Sequence, residues 1–498
     1  MQEVALEKNE AFAGSKIKTP ALSRLTTWSA TFAAGVLFFA VAVAPLPFGS
    51  AGNPEMAFWS AALGLGLVAA PLKGLRKPHF ILLGCFALVV AGYAVVLHEQ
   101  LAAKPWFAIS VPNPLWKEAS QALGVKLEPS LSIARNEPFF ALGSPLDCML
   151  ALLCGFLVGT DRGRARTLLW VMGISGAVYA IYGIISHLSD PTQILWREKT
   201  AYVGDVTGTF INRNTAAVYF GSCAVVCLML LCDRIRRDLP HGPIKWRKLA
   251  DRLMTKAPRP VIVLFVMVFL CLAAMFMTDS RAGVLLSLMG LVMAFTLFFR
   301  RDLPRRTGLV SMLLGCGAVV LVLLEFMGGE ISARFAAQGL ASEGRLSVWR
   351  ATLRMIADHP WLGTGQGTFV WSFPAYRPDD ISMVGVWDRA HNTLLELAAD
   401  MGIPLAALVG LGWILIFAVL IHGVCVRRRD LLIPVSALAV ATLGVLHSLV
   451  DFSLQIPGYA IPALALVGAG LAQSFTTDHR RQEVPENGFA SAAASPTD

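Results

Sequence analysis

Between Gly344 and Glu396 the chain gathers Arg345, Arg350, Arg354, Arg377, Arg389, His359 and His391. A guanidinium presents a fork of N–H donors that matches phosphate oxygens. An imidazole takes or gives a proton near neutrality. A segment holding both can grip an anionic substrate and move a proton on it. Spacing sorts the candidates. Leu346, Trp349, Leu353 and Ile356 recur at helical intervals, which predicts an amphipathic helix over about 343–358. Arg350 and Arg354 are four apart and share one of its faces. Pro360 and the glycines at 363, 365 and 367 end it. His359 then reads as a residue that closes the helix. The GTGQG stretch at 363–367 reads as a sharp turn and not a phosphate loop, because no Gly-Lys-Ser/Thr follows. A second helix is expected from near His391 through Leu395, Ala398 and Met401, broken by Gly402 and Pro404.

Composition says what scaffold must hold these groups. Mean hydropathy is +0.61, 55% of residues are hydrophobic and 15% are charged, against about 25% charged in a soluble domain. Apolar runs of about 20 residues, each enough to cross a bilayer, recur along the chain. The reading is an all-α polytopic integral membrane protein of about twelve transmembrane helices, near 26–46, 54–72, 78–98, 142–159, 167–187, 213–233, 260–277, 282–299, 307–327, 403–425, 431–450 and 458–474. Residues 1–25 and 475–498 form polar tails. Spans one to nine occupy 26–327, the long polar loop 328–402, and the last three spans 403–474.

With the N-terminus inside, about two thirds of the 42 Lys and Arg residues fall on inner segments, and the short outer connections 47–53 and 452–457 have none. This positive-inside pattern predicts that both termini are cytoplasmic and that 328–402 lies outside, in the periplasm. The net charge of +9 is then a topology signal. It does not point to nucleic acid, since no folded soluble stretch interleaves basic and aromatic residues. The inner segment Asp233–Pro260, with Ile244, Trp246, Leu249, Leu253 and Met254 among its bases, reads either as a helix lying on anionic lipid or as a solvated basic loop. An outer loop over about 99–141 shows no chemistry of its own and is expected to pack over the outer vestibule. The nine cysteines lie in or beside apolar spans as buried hydrophobes. No Cys, His, Asp or Glu grouping has metal-ligand spacing, so no metal and no cofactor is expected.

Two further arginines sit where the spans meet the outer surface. Arg213 is at the outer end of the sixth span, and Arg281 at the outer turn between the seventh and eighth. Charge so close to a bilayer is costly and marks functional candidates. The alternative is a snorkelling or Asp-paired arginine, with Asp279 the partner for Arg281. His447 and Asp451 are four apart at the outer end of the eleventh span. They either line a cavity or bridge neighbouring helices.

GTFINRNTAAVYF (208–220), TDSRAG (278–283), GRLSVWRATLRMIADHPWLGTGQGTF (344–369), RAHNTLLELAADMGIPLA (389–406) and HSLVDFSLQIPG (447–458) together resemble the O-antigen ligase and O-antigen polymerase superfamily, over roughly 200–460. The resemblance implies an inner-membrane glycosyltransferase. Such an enzyme moves a glycan from undecaprenyl diphosphate to an acceptor hydroxyl at the periplasmic face, without a nucleotide sugar or metal. It implies His391 as the catalytic base; Asn392 beside it is a candidate to orient it or to bind substrate. Arg213, Arg281, Arg345 and Arg350 are the candidates for holding the diphosphate, whose charge grows as the glycosidic bond breaks. His447 and Asp451 are candidate cavity-lining residues. The acceptor is expected to be lipid A-core, with a growing polysaccharide or a protein as alternatives. A transporter, or a sensor with a binding loop, is the competing class. The transporter is disfavoured because charges cluster at span ends instead of mid-membrane.

Overall fold

A computed structural model describes residues 20–238, 258–302, 343–381, 385–427 and 429–475, with isolated positions between 310 and 321. It is helical throughout apart from a small hairpin pairing Gln193–Ile194 with Arg197–Glu198. The helices that build it are α1 (Pro20–Val43), α2 (Asn53–Ala69), α3 (Lys77–Leu101), α4 (Leu115–Leu123), α5 (Gly143–Val158), α6 (Arg162–Ser189), α7 (Arg213–Asp238), α8 (Arg259–Phe276) and α9 (Arg281–Phe299). After a gap come α10 (Glu343–Asp358), α11 (Thr393–Met401), α12 (Ile403–Val426), α13 (Leu432–Ser448) and α14 (Pro457–Ala472).

Among the described residues, seven helices are long and apolar enough to cross a membrane. Two of the segments expected as full spans are shorter apolar helices: Leu432–Ser448 and Pro457–Ala472. The burial of α14 explains why a short helix suffices there. Every one of its residues is buried, so its ends meet protein and not lipid, and at 1.5 Å per residue it need not match the hydrocarbon thickness. The expected ninth span, 307–327, lies outside the described residues except at isolated positions. The same holds for most of the proposed inner-leaflet segment, 239–257, for 328–342 of the long loop, and for the tails.

α7 is the hub. It is the most buried of the seven long helices and packs against α6, α8, α9 and α13. α14 packs chiefly on α5 and α13. α5 and α14 approach so closely that a side chain at Gly155 would strike the Ala465 carbonyl, and one at Gly468 the Leu152 carbonyl. Small residues at a crossing let two backbones meet in this way.

The bundle has two chemically different ends. At one, Arg162 and Arg166 both pair with Asp430, Arg166 also reaches Asp233 at 2.5 Å, and Arg236 pairs with Asp302 at 2.7 Å. The other end is where α7 and α9 begin and α13 finishes. Arg213 and Asp233 lie on the same helix about 30 Å apart by helical rise. The basic belt and the residues singled out above are thus at opposite ends.

The outer segments pack on the second end. α10 covers residues 343–358, the range the apolar spacing predicts, but its buried face is Val348, Ala351, Met355 and Ile356, and Leu346 and Leu353 of the expected stripe are exposed. α11 begins at Thr393, and its N-cap is Asn392, whose Oδ1 accepts from Leu395 N at 3.1 Å. Between them the GTGQG stretch is a turn with positive φ at Gly363, Gly365 and Gly367, a region that favours glycine. The 99–141 loop docks on this turn. Ile133 N donates to Thr364 O at 3.0 Å. Gln100 Nε2 donates to the carbonyls of Leu362 and Asp400, and Gln100 Oε1 accepts from Gln366 N.

Candidate active site

Asp451 is the centre of the arrangement. It lies just past the end of α13, with its N–H donating to His447 O at 2.9 Å, and its side chain is 1% exposed. One carboxylate oxygen, Oδ1, lies 3.2 Å from His391 Nδ1. The other accepts from Asn214 Nδ2 at 2.5 Å and lies 3.5 Å from an Arg345 guanidinium nitrogen. A second Arg345 nitrogen donates to Val450 O at 2.6 Å. Burial by itself would raise the Asp451 pKa. The His391 hydrogen bond and the charges of His447, His391 and Arg345 outweigh it and hold the carboxyl at about 2. The group is therefore a fixed carboxylate at any physiological pH.

That carboxylate sets the geometry of His391. A carboxylate at Nδ1 favours the tautomer with the proton on Nδ1, which leaves the Nε2 lone pair as the acceptor. Nε2 makes no hydrogen bond among the described residues. The ring is flanked edge-on by Trp387, 5.5 Å away, and Phe452, 5.1 Å away. His391 itself takes a positive φ of 52°, sparsely populated for a residue with a Cβ. The strain is held by its neighbours. Ala390 N donates to Glu396 at 2.7 Å, Trp349 Nε1 donates to Ala390 O at 3.1 Å, and Asn392 caps the helix that follows.

The four expected arginines fall into two groups. Arg213 starts α7, donates to Asp205 Oδ2 at 2.5 Å and lies over the Tyr202 ring at 5.1 Å. Arg281 starts α9 behind its N-cap Ser280, and Ser280 Oγ donates to Asn214 Oδ1 at 2.8 Å. Asn214 thus ties the start of α9 to Asp451 from its place beside Arg213. Arg345 touches Asp451 directly. These three come from separate motifs and stand at one end of the bundle. Arg350 does not join them. Five helical residues place it about 140° around α10 from Arg345; it is exposed and makes no ion pair or hydrogen bond among the described residues. Asn392, expected to orient His391 or meet substrate, spends both polar atoms on the fold: Oδ1 as the cap, and Nδ2 donating to Leu449 O at 2.9 Å. His447 is buried, with Nδ1 3.0 Å from Ser453 Oγ.

Three contributors escaped the sequence reading, and a fourth, Arg389, was named there without a role. Asn214 bridges two motifs. Asp205 holds Arg213. Tyr202 is pushed above the usual phenol pKa by burial and by Asp451, against Arg213 and Arg345, which puts it in the same electrostatic neighbourhood. Arg389 is gripped by Glu396 at 3.2 Å and Gln455 at 3.0 Å. Asn214 and Arg389 lie inside the quoted motifs next to residues that were named, so adjacency was an available signal. Asp205 and Tyr202 carried none.

A cavity of about 500 Å³ has neither His391 nor the expected cavity-lining pair His447 and Asp451 among its lining residues. It lies on the far side of the Arg389–Glu396 pair, lined by α3, α5 and α12.

Residues 266–410 match a family model described as O-antigen ligase, which supports the O-antigen ligase and polymerase superfamily. The matched region contains Arg281, Arg345 and His391; Arg213, Asn214, His447 and Asp451 lie outside it. No curated protein matches the chain.

Proposed function

We propose that this chain, a multi-pass membrane protein of the O-antigen ligase and polymerase superfamily, transfers a glycan from undecaprenyl diphosphate to an acceptor hydroxyl at the periplasmic face of the inner membrane. Its termini are cytoplasmic in this reading, and the basic belt faces the cytoplasm. The observation that carries the proposal is the placement of His391 on the buried Asp451 carboxylate, beside Arg345 and next to the starts of α7 and α9 with Arg213 and Arg281.

The chemistry follows from that geometry. The acceptor hydroxyl attacks the anomeric carbon and loses its proton to His391 Nε2. Asp451 holds the ring in register and stabilises the imidazolium that forms, without taking the proton itself. As the glycosidic C–O bond breaks, negative charge grows on the departing lipid diphosphate. Arg213, Arg281 and Arg345 sit where that charge would be met, and a preorganised cation stabilises it more in the transition state than in the ground state. Arg345 and Arg213 are about one-fifth exposed, 19% and 22%, whereas Asp451 is sealed off.

Ligation to lipid A-core is the form we propose. Polysaccharide extension and protein O-glycan ligation would use the same step, and the banding of lipopolysaccharide from cells lacking the protein separates them. The direct test is His391→Ala in proteoliposomes. Transfer should fall by about 10²–10⁴-fold, the usual contribution of a general base, while binding of the lipid-linked donor persists. Loss of donor binding together with transfer would assign His391 to the donor site instead.

A further inference from the structure

The segment between α6 and α7 carries the one open, unpaired tyrosine hydroxyl among the described residues. The chain has seven tyrosines, and in six the hydroxyl is paired or sealed in. Tyr179 donates to Ala42 O at 2.8 Å, Tyr376 donates to Asp358 at 2.8 Å, and Tyr182 accepts from Leu195 N at 2.6 Å. The Tyr459 hydroxyl lies 3.4 Å from Ser222 Oγ, and those of Tyr93 and Tyr219 are buried. Tyr202 differs. Its hydroxyl has no hydrogen-bond partner among the described residues, yet it is not sealed from solvent.

The backbone holds this residue at a cost. Tyr202 has a φ of 57°, a left-handed conformation that a residue with a Cβ rarely takes. Three bonds fix the turn. Asp205 N donates to Tyr202 O at 3.2 Å, Lys199 Nζ donates to Asp205 O at 2.8 Å, and Val206 N donates to Met277 O at 2.9 Å. The turn puts the ring against the arginine centre. The Arg213 guanidinium lies over it at 5.1 Å, and Asp205 of the same turn pairs with that guanidinium. The charges of Asp451, Arg213, Arg345 and Asp205 all act on the phenol. Tyr202 therefore stands where the Arg213–Asp205 pair and the Arg345–Asp451 pair meet. Burial first, and then the two carboxylates, raise its pKa against the two arginines, so the group stays a neutral O–H donor at physiological pH. A donor held in a strained turn and left unused calls for a ligand that brings an acceptor.

We propose that Tyr202 is a further substrate-binding residue, whose hydroxyl donates a hydrogen bond to the diphosphate of the lipid-linked donor alongside the Arg213 and Arg345 guanidiniums. The phenol keeps its proton throughout. When the glycosidic C–O bond breaks, its electron pair stays on the phosphate oxygen, and the Tyr202 O–H is one of the preorganised donors that meet that charge. The ring serves a separate end, since it carries the Arg213 guanidinium on its face. The choice of a diphosphate as the ligand rests on the function proposed above.

The test is the binding of farnesyl diphosphate, a short and soluble lipid diphosphate, to the full chain in nanodiscs. Tyr202→Phe keeps the ring under Arg213 and removes one atom. Its Tm should match the parent's, while Kd should rise about 10–100-fold, the loss of one hydrogen bond to a charged group. A trifluorinated tyrosine placed at position 202 gives a second reading that does not depend on that variant. It keeps the hydroxyl but ionises well below an ordinary phenol. Binding should therefore fall as pH rises through that ionisation, while the parent chain holds its affinity over the same range. A ring that only supports Arg213 would show neither effect. An equal Kd in Tyr202→Phe, or a fluorinated chain whose affinity follows the parent's at every pH, would overturn the inference and leave the diphosphate reading standing. Failure of the parent chain to bind the probe would overturn both.

Discussion

At the scale of single residues, Asp451 decides how the site behaves. Its folded pKa of about 2 lies below the unfolded value of about 3.9. Its contribution to stability is therefore fully present above about pH 4 and is lost as pH falls through about 2. The size is about 2–3 kcal/mol at about 1.4 kcal/mol per pKa unit. Asp451→Asn should flatten the acid limb of an unfolding titration between about pH 4 and 2. It should also lower transfer about as much as His391→Ala, since an amide does not enforce the same ring tautomer. A variant that keeps full activity would show that the carboxylate is only structural. The arginines offer a second contrast. Arg281 starts a helix at the site, whereas Arg354 is exposed on α10 and donates to Tyr376 O. Arg281→Lys should cripple transfer far more than Arg354→Lys, because a lysine keeps the charge but not the bidentate fork. Equal activity in proteoliposomes would remove Arg281 from the diphosphate site.

At the scale of elements, the GTGQG turn does the positioning. Gly363 has a φ of 67°, and a side chain there would collide with the Asp400 backbone. Gly363→Ala should cost about 1–3 kcal/mol and loosen the docked 99–141 loop. The checks are a lowered Tm and faster proteolysis within that loop; an unchanged Tm would mean the turn carries no such load. Much of this level was legible in the sequence. The spacing of Leu346, Trp349, Leu353 and Ile356 predicts α10 within a residue or two at each end. Gly402 and Pro404 mark where α11 gives way to α12. The role of Asn392 was not legible. RAHN identifies a helix start, but only coordinates show the amide spent as the cap and on Leu449 instead of on His391.

At the scale of the whole molecule, topology sets what the site can meet. Reporter fusions at Asp238 and Arg428 should report the cytoplasm, and one at Asp380 the periplasm. A cytoplasmic signal at Asp380 would put His391 on the wrong face for a finished lipid-linked glycan. Hydropathy reveals where helices lie, because each must satisfy its own backbone in lipid. It does not reveal which helices touch. Asn214 and Asp451 are 237 positions apart, and nothing local to either announces the contact. The cavity lined by α3, α5 and α12 was invisible for a related reason. Helices that are apolar all round look alike whether they face lipid, protein or a gap. α14 falls within a residue or two of its expected range, and its apolar sequence did not reveal that all of it is buried in protein, because burial in protein and in lipid select the same residues.

The central claim is that His391, oriented by Asp451, acts as a base in one direct displacement of the lipid diphosphate. The most direct test is the anomeric configuration of the newly joined sugar, determined by NMR on product made by the purified protein from donor of known configuration. A single displacement predicts inversion. Retention would require a covalent glycosyl intermediate and a carboxylate nucleophile, and would contradict the mechanism even with the family assignment intact.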